Sequence, residues 1–158
     1  MKQIPVIALL LAAMPLAAFG QEPVPEAMRP ASVGDAYVPS LGDIMGATQL
    51  RHIKLWNAGR LKNWELAAYE LGQIEDSFNT AARLYRNIPI ENIEMIGKPL
   101  AALDGAIKAK DGARFAKGFS DLTTTCDACH EVAHVGFITV QVPTASPFTD
   151  QSFKPRQK

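Results

Sequence analysis

The sequence predicts an all-α protein, an up-down-up-down antiparallel four-helix bundle with an extended N-terminal lead-in and an extended C-terminal tail. Three observations carry this prediction. In four successive stretches between Ser40 and Val135, apolar residues recur at spacings of three and four, the period of one helix face. Links with good capping and turn residues separate stretches at Gly59 to Asn63 and at Lys110-Asp111-Gly112. The two flanks are proline-bearing and lack that period.

Residues 1–20 read as a cleaved signal peptide. Lys2 supplies the positive start, Ile4 to Leu16 the apolar run, and Ala18-Phe19-Gly20 a small-x-small cleavage site. Pro5 and Pro15 interrupt the run, which is shorter than the roughly 20 apolar residues that span a bilayer. The expectation is Sec export and a periplasmic protein with no membrane span once the signal is removed. Residues 21–39 carry Pro23, Pro25, Pro30 and Pro39 and read as the lead-in, with Tyr37 and Val38 packing where it meets the domain.

Residues 40–135 hold the bundle. Ser40 reads as an N-cap with Asp43 at N3, a capping-box-like start. Leu41, Met45, Thr48, His52 and Leu55 then mark one face, broadened by Ile44, Ile53 and Trp56, with Gly59 as the stop. Asn63 opens a second helix whose inward face is Ala67, Leu71, Ile74, Phe78, Ala81 and Tyr85. Glu65, Glu70, Glu75, Asp76 and Arg83 fall off this stripe and read as a solvated surface. Asn87-Ile88-Pro89 ends the helix, and Ile90 to Lys98 reads as irregular, with Gly97 a breaker. Pro99 then serves as first residue of a shorter third helix with Leu100, Leu103 and Ile107 on its core face. In the fourth helix Phe115, Phe119, Leu122, Cys126, Cys129 and Ala133 share a stripe. Gly136 breaks it, and Phe137 to Val142 is β-branched and extended, closed by Pro143 and Pro147, within the tail 136–158.

Sixteen Lys and Arg balance sixteen Asp and Glu, and loss of Lys2 would leave the acidic residues in excess by one. A balance this close to neutral gives no basic excess for nucleic acid or anionic lipid. No nucleophile and base stand at a recognised local spacing and no glycine loop cradles phosphate, so nothing specifies an enzyme.

The chemistry is concentrated in Cys126-Asp127-Ala128-Cys129-His130, a C-x-x-C-H near the end of the fourth helix. In an exported chain this is the attachment signature of haem c: each thiol adds across one vinyl group to form a thioether, and one haem is bound covalently. The i, i+3 cysteines and His130, at i+4 from Cys126, lie on one side of a helix, so His130 is the candidate proximal iron ligand. A thioredoxin-like pair calls for a βαβ context with the motif opening a helix, and a zinc site usually needs four ligands, more than two cysteines with scattered histidines supply. A plain local disulfide, or a chance match in a haemless helical scaffold, is the alternative.

With the motif on the last helix, the Ala-Lys-Asp-Gly turn leading into Phe115 to His130 and a long first helix facing it, the chain resembles the class II cytochromes c, the cytochromes c-prime and their low-spin relatives. The resemblance implies a four-helix bundle around covalent haem with His130 as fifth ligand. It also implies a distal side lined by the first helix. There Met45 matches the position of the sixth ligand in low-spin members, with His52 as rival. Arg51, Lys54 and Arg60 are candidate partners for haem propionates, and His134 reads as surface. The implied function is electron transfer with periplasmic redox proteins. A gas-binding (NO or CO) or sensing haem with an open sixth site is the alternative, and antiparallel homodimers occur in the resembling family. The chain continues beyond His130 to Lys158, and this segment is expected to lie along the bundle, at the haem edge or against a second subunit.

Overall fold

The computed structural model describes residues 37–85, 88 and 90–156, with the backbone alone for 90–93. The signal peptide and most of the lead-in fall outside these residues. Four helices follow in order: α1 (Leu41–Arg60), α2 (Trp64–Leu84), α3 (Ile90–Lys108) and α4 (Gly112–Val132). Ser40 starts α1 through a full capping box. Its hydroxyl accepts from the Asp43 amide at 3.1 Å, and the Asp43 carboxylate accepts from the Ser40 amide at 3.0 Å. Asn63 caps α2 by accepting from the Leu66 amide, and Asp111 caps α4 by accepting from the Ala113 and Arg114 amides.

The helix stops differ from those expected. Gly59 lies inside α1, and the turn beyond it is made by Lys62 in the left-handed region at φ 59°. Lys110 (φ 53°) and His134 (φ 58°) do the same after α3 and α4, so Gly136 is not the residue that ends the last helix. Gly59 is needed for contact instead: a Cβ there would run into the Phe115 ring.

The third helix is longer than its sequence suggested. It begins at Ile90 rather than at Pro99, which stands in its interior. Proline removes one amide from the ladder, yet Ile96 before it and Leu100, Leu103, Ala106 and Ile107 after it are all buried. Burial on both sides of Pro99 holds the helix together through the missing bond.

Helix α1 packs on α2 and α3 on α4, with α2 against α3 and a narrower seam between α1 and α4 closing the bundle. Phe115, Phe119, Leu55, Ile74, Ile96, Leu103 and Leu122 fill the core. Glu70, expected on the solvated face of α2, is 1% exposed. It stands one turn after Ala67 and one before Ile74, on the side of α2 turned to α1, where Arg51 meets its carboxylate at 3.1 Å. A carboxylate in this position requires such a partner.

The tail is packed, and no strand forms in it among the described residues. It leaves α4 and turns back along it, where the Val140 amide donates to Asp127 Oδ1 at 2.7 Å. It then passes α1, with Lys54 Nζ 4.8 Å from the Phe148 ring centroid, and reaches the α1–α2 corner, where Asn63 donates to the Lys154 carbonyl. Phe153 is buried in the core cluster, with Val142 and Phe148 packed against it. None of the described helices is long and apolar enough to cross a membrane.

These glycines give a test. Ala is favoured over Gly in a helix by about 1 kcal/mol, and at Gly97 of α3, where an added Cβ meets nothing within 4 Å, Gly97→Ala is expected to raise stability by roughly that amount. At Gly59 the collision with Phe115 dominates, because overpacking costs about 1–3 kcal/mol, so Gly59→Ala lowers stability. Urea unfolding midpoints of the two variants should move in opposite directions.

Candidate functional site

Cys126, Cys129 and His130 occupy the last turns of α4 and are all partly buried. Cys126 packs against the core, and the two thiols are free rather than joined. Burial pushes the Cys126 thiol up to about 12, with the negative charge of Asp127 acting in the same direction, and burial also raises Cys129. A reactive C-x-x-C pair owes its low pKa to a helix N-terminus or a nearby cation. This pair stands at the opposite end of its helix with both thiols held neutral, an environment unlike that of a thioredoxin-type site.

His130 Nδ1 lies 2.7 Å from the carbonyl oxygen of Ile138. A carbonyl only accepts, so Nδ1 carries a proton, and in the neutral ring the lone pair is then on Nε2. That is the tautomer with which a histidine binds a metal through Nε2 while its other nitrogen is held by a backbone carbonyl. The donor set therefore fits covalent haem: two neutral thiols at i, i+3, and an imidazole whose Nε2 is available. Among the described residues no three His, Cys, Asp or Glu side chains converge as a metal cage.

The side of α4 facing α1 carries Thr123, Asp127 and His130, at successive steps of four and three. Thr123 donates to the Phe119 carbonyl at 2.8 Å, so toward His52 Nε2, 2.9 Å away, its oxygen accepts and His52 donates. The His52 ring also lies on Phe119, with centroids 4.3 Å apart. Beyond Thr123 the partner changes: Asp127 and His130 are bonded to the tail, not to α1.

Contacts along the seam fix the register of the two antiparallel helices. His52 meets Thr123, Trp56 meets Phe119 at 4.8 Å between ring centroids, and Gly59 abuts Phe115. Carried two turns toward the start of α1, the same register sets Met45 level with His130. Met45 is partly buried. His52 is 4% exposed, and its Nε2 is already bonded to Thr123.

The basic residues considered for propionates are engaged elsewhere. Arg51 holds Glu70, Lys54 lies against Phe148, and Arg60 stands 5.9 Å from the Trp56 ring centroid. His134 is exposed and forms the turn after α4. Sequence reasoning missed Thr123, Asp127, Ile138 and Val140. The first two were legible as one ridge with His130, whereas a bond to a backbone carbonyl eight residues later has no residue signature.

No protein-family model matches the chain, and no curated protein or solved structure is similar to it at a significant level. The site must be read from its own geometry.

Burial lowers the pKa of His52 to about 4 from 6.5, partly opposed by Asp127. With a folded value below the unfolded one, the unfolded chain takes up the proton first as pH falls. Stability is therefore unaffected by this residue above 6.5 and declines from there to about 4, by roughly 3 kcal/mol in all. In His52→Gln, whose side-chain amide keeps a donor for Thr123, urea unfolding between pH 6.5 and 4 should lose this part of the acid dependence.

Proposed function

We propose that this chain is a c-type cytochrome of the periplasm that carries electrons, with one covalent haem on Cys126 and Cys129 and His130 as proximal ligand. The observation that carries the reading is the state of His130: with Nδ1–H given to the Ile138 carbonyl, Nε2 is left as a ligand beside two neutral thiols. In thioether formation each S–H adds across one vinyl C=C, sulfur to one carbon and hydrogen to the other, with no net oxidation. The haem would supply an iron that cycles between ferric and ferrous states.

The residues of the chain supply position and surroundings. Cys126, packed on the core, would tie the haem to the bundle, and His130 would offer Nε2 to it from the same helix. Met45 is the proposed sixth ligand, supported by its register with His130. His52 is the weaker candidate because ligation through Nε2 would break its bond to Thr123 and leave the buried hydroxyl oxygen without that donor. Val132, Phe137 and Ile138, close to His130 in the chain, are apolar side chains 52%, 83% and 47% exposed. Exposed apolar side chains near the redox centre suit brief encounters with periplasmic redox proteins.

The ferric absorption spectrum is the test. The wild-type protein is expected to be low-spin with the weak Met-to-iron charge-transfer band, to turn high-spin in Met45→Ala and to stay low-spin in His52→Gln. Loss of the low-spin spectrum in His52→Gln alone would make His52 the ligand. A high-spin wild type that binds carbon monoxide readily on reduction would favour the gas-binding alternative.

A further inference from the structure

The haem reading leaves unexplained why the chain runs on past His130 and turns back along α4. Two bonds join this segment to the motif: His130 Nδ1–H to the Ile138 carbonyl and the Val140 amide to Asp127 Oδ1, each 2.7 Å long. In an extended chain, residues two apart present their backbone groups on the same edge, so Ile138 and Val140 offer one acceptor and one donor side by side. On α4, Asp127 and His130 are three apart and offer the matching acceptor and donor. The segment runs antiparallel to the helix, so its earlier residue meets the later side chain. These two backbone groups of the tail are thus satisfied by the side chains of a helix.

The far end of the segment is held independently. Phe153 is buried in the core, Phe148 lies 6.0 Å from it between ring centroids, and Asn63 binds the Lys154 carbonyl. The Ile138 carbonyl is therefore tied to the bundle on both sides: through the turn after α4, where the Ile138 amide donates to the Val135 carbonyl, and through the anchored tail.

We propose that the segment from Ile138 to Val140 is a positioning strap for His130, with the Val140–Asp127 bond holding the Ile138 carbonyl where it fixes the imidazole tautomer and rotation. This rests on the haem reading above. A hydrogen bond at the outer nitrogen makes the ligating nitrogen more basic, which favours the ferric iron. The strap therefore sets the reduction potential as well as the orientation.

The test compares haem-loaded Val140→Pro, which lacks the amide proton, with Val140→Ala, which keeps it. Proton NMR follows exchange of the axial His130 Nδ1 proton with solvent, and spectroelectrochemistry gives the midpoint potential. In Val140→Pro the proton is expected to exchange at least about tenfold faster and the potential to rise, while Val140→Ala resembles the wild type. Should Val140→Pro fail to fold, Asp127→Ala breaks the same bond from the other side, and Asp127→Asn, which keeps an acceptor oxygen, restores slow exchange. Covalent haem with wild-type exchange and potential in these bond-breaking variants overturns the strap alone. A wild-type chain that takes up no covalent haem overturns the haem reading and the strap with it.

Discussion

The arrangement depends on how Phe119 joins α1 to α4. Its ring lies 4.3 Å from that of His52, 4.8 Å from Trp56 and 6.1 Å from Phe115, and its carbonyl accepts the Thr123 hydroxyl that in turn receives His52. Phe115 and Phe119 are fully buried and Trp56 partly so, and rings of this size dominate the energetics of the seam. They also fix its register, because a slide of one turn would lose the Thr123 bond and drive Phe115 off the bare Cα of Gly59. Everything at the motif end of the bundle inherits that register, including the level of Met45 relative to His130.

The seam has two halves of different construction. Toward the α1–α2 corner it is helix against helix, closed by rings and by the His52–Thr123 bond. Toward the motif the ridge of α4 continues through Asp127 and His130, and the tail supplies the hydrogen-bond partners there. This division separates two demands. The half toward the α1–α2 corner is rigid core, while the half toward the motif leaves Cys126, Cys129 and His130 partly exposed.

Much of this was legible in the sequence, for reasons that can be named. Ser40 with Asp43 and Asn63 before Trp64 act within one turn of chain, so their residue types announce the caps that form. The stripe of Phe115, Phe119 and Leu122 is strictly periodic and is buried as its spacing implies. The failures share a different physics. Glu70 is buried because of where α1 lies, and Gly59 is small because of Phe115, facts that belong to packing between helices. Pro99 looked like a beginning because proline suits the first turn, but burial on either side outweighed one lost hydrogen bond. The tail's proline and extended character were read correctly as non-helical, yet Phe153 gave no periodic cue that it returns to the core. The thiols and imidazole were visible as a motif, and the bond from His130 Nδ1 was not, because it depends on the Ile138 carbonyl.

The central claim is that Cys126, Cys129 and His130 hold a covalent haem. Peptide mass spectrometry on the full chain, produced with export and a working haem maturation system, tests it most directly. The account predicts that the peptide spanning Cys126 to His130 carries the mass of one haem, retained through reduction and acid extraction, with neither thiol open to alkylation. Recovery of that peptide without haem and with both cysteines alkylated after reduction would contradict it.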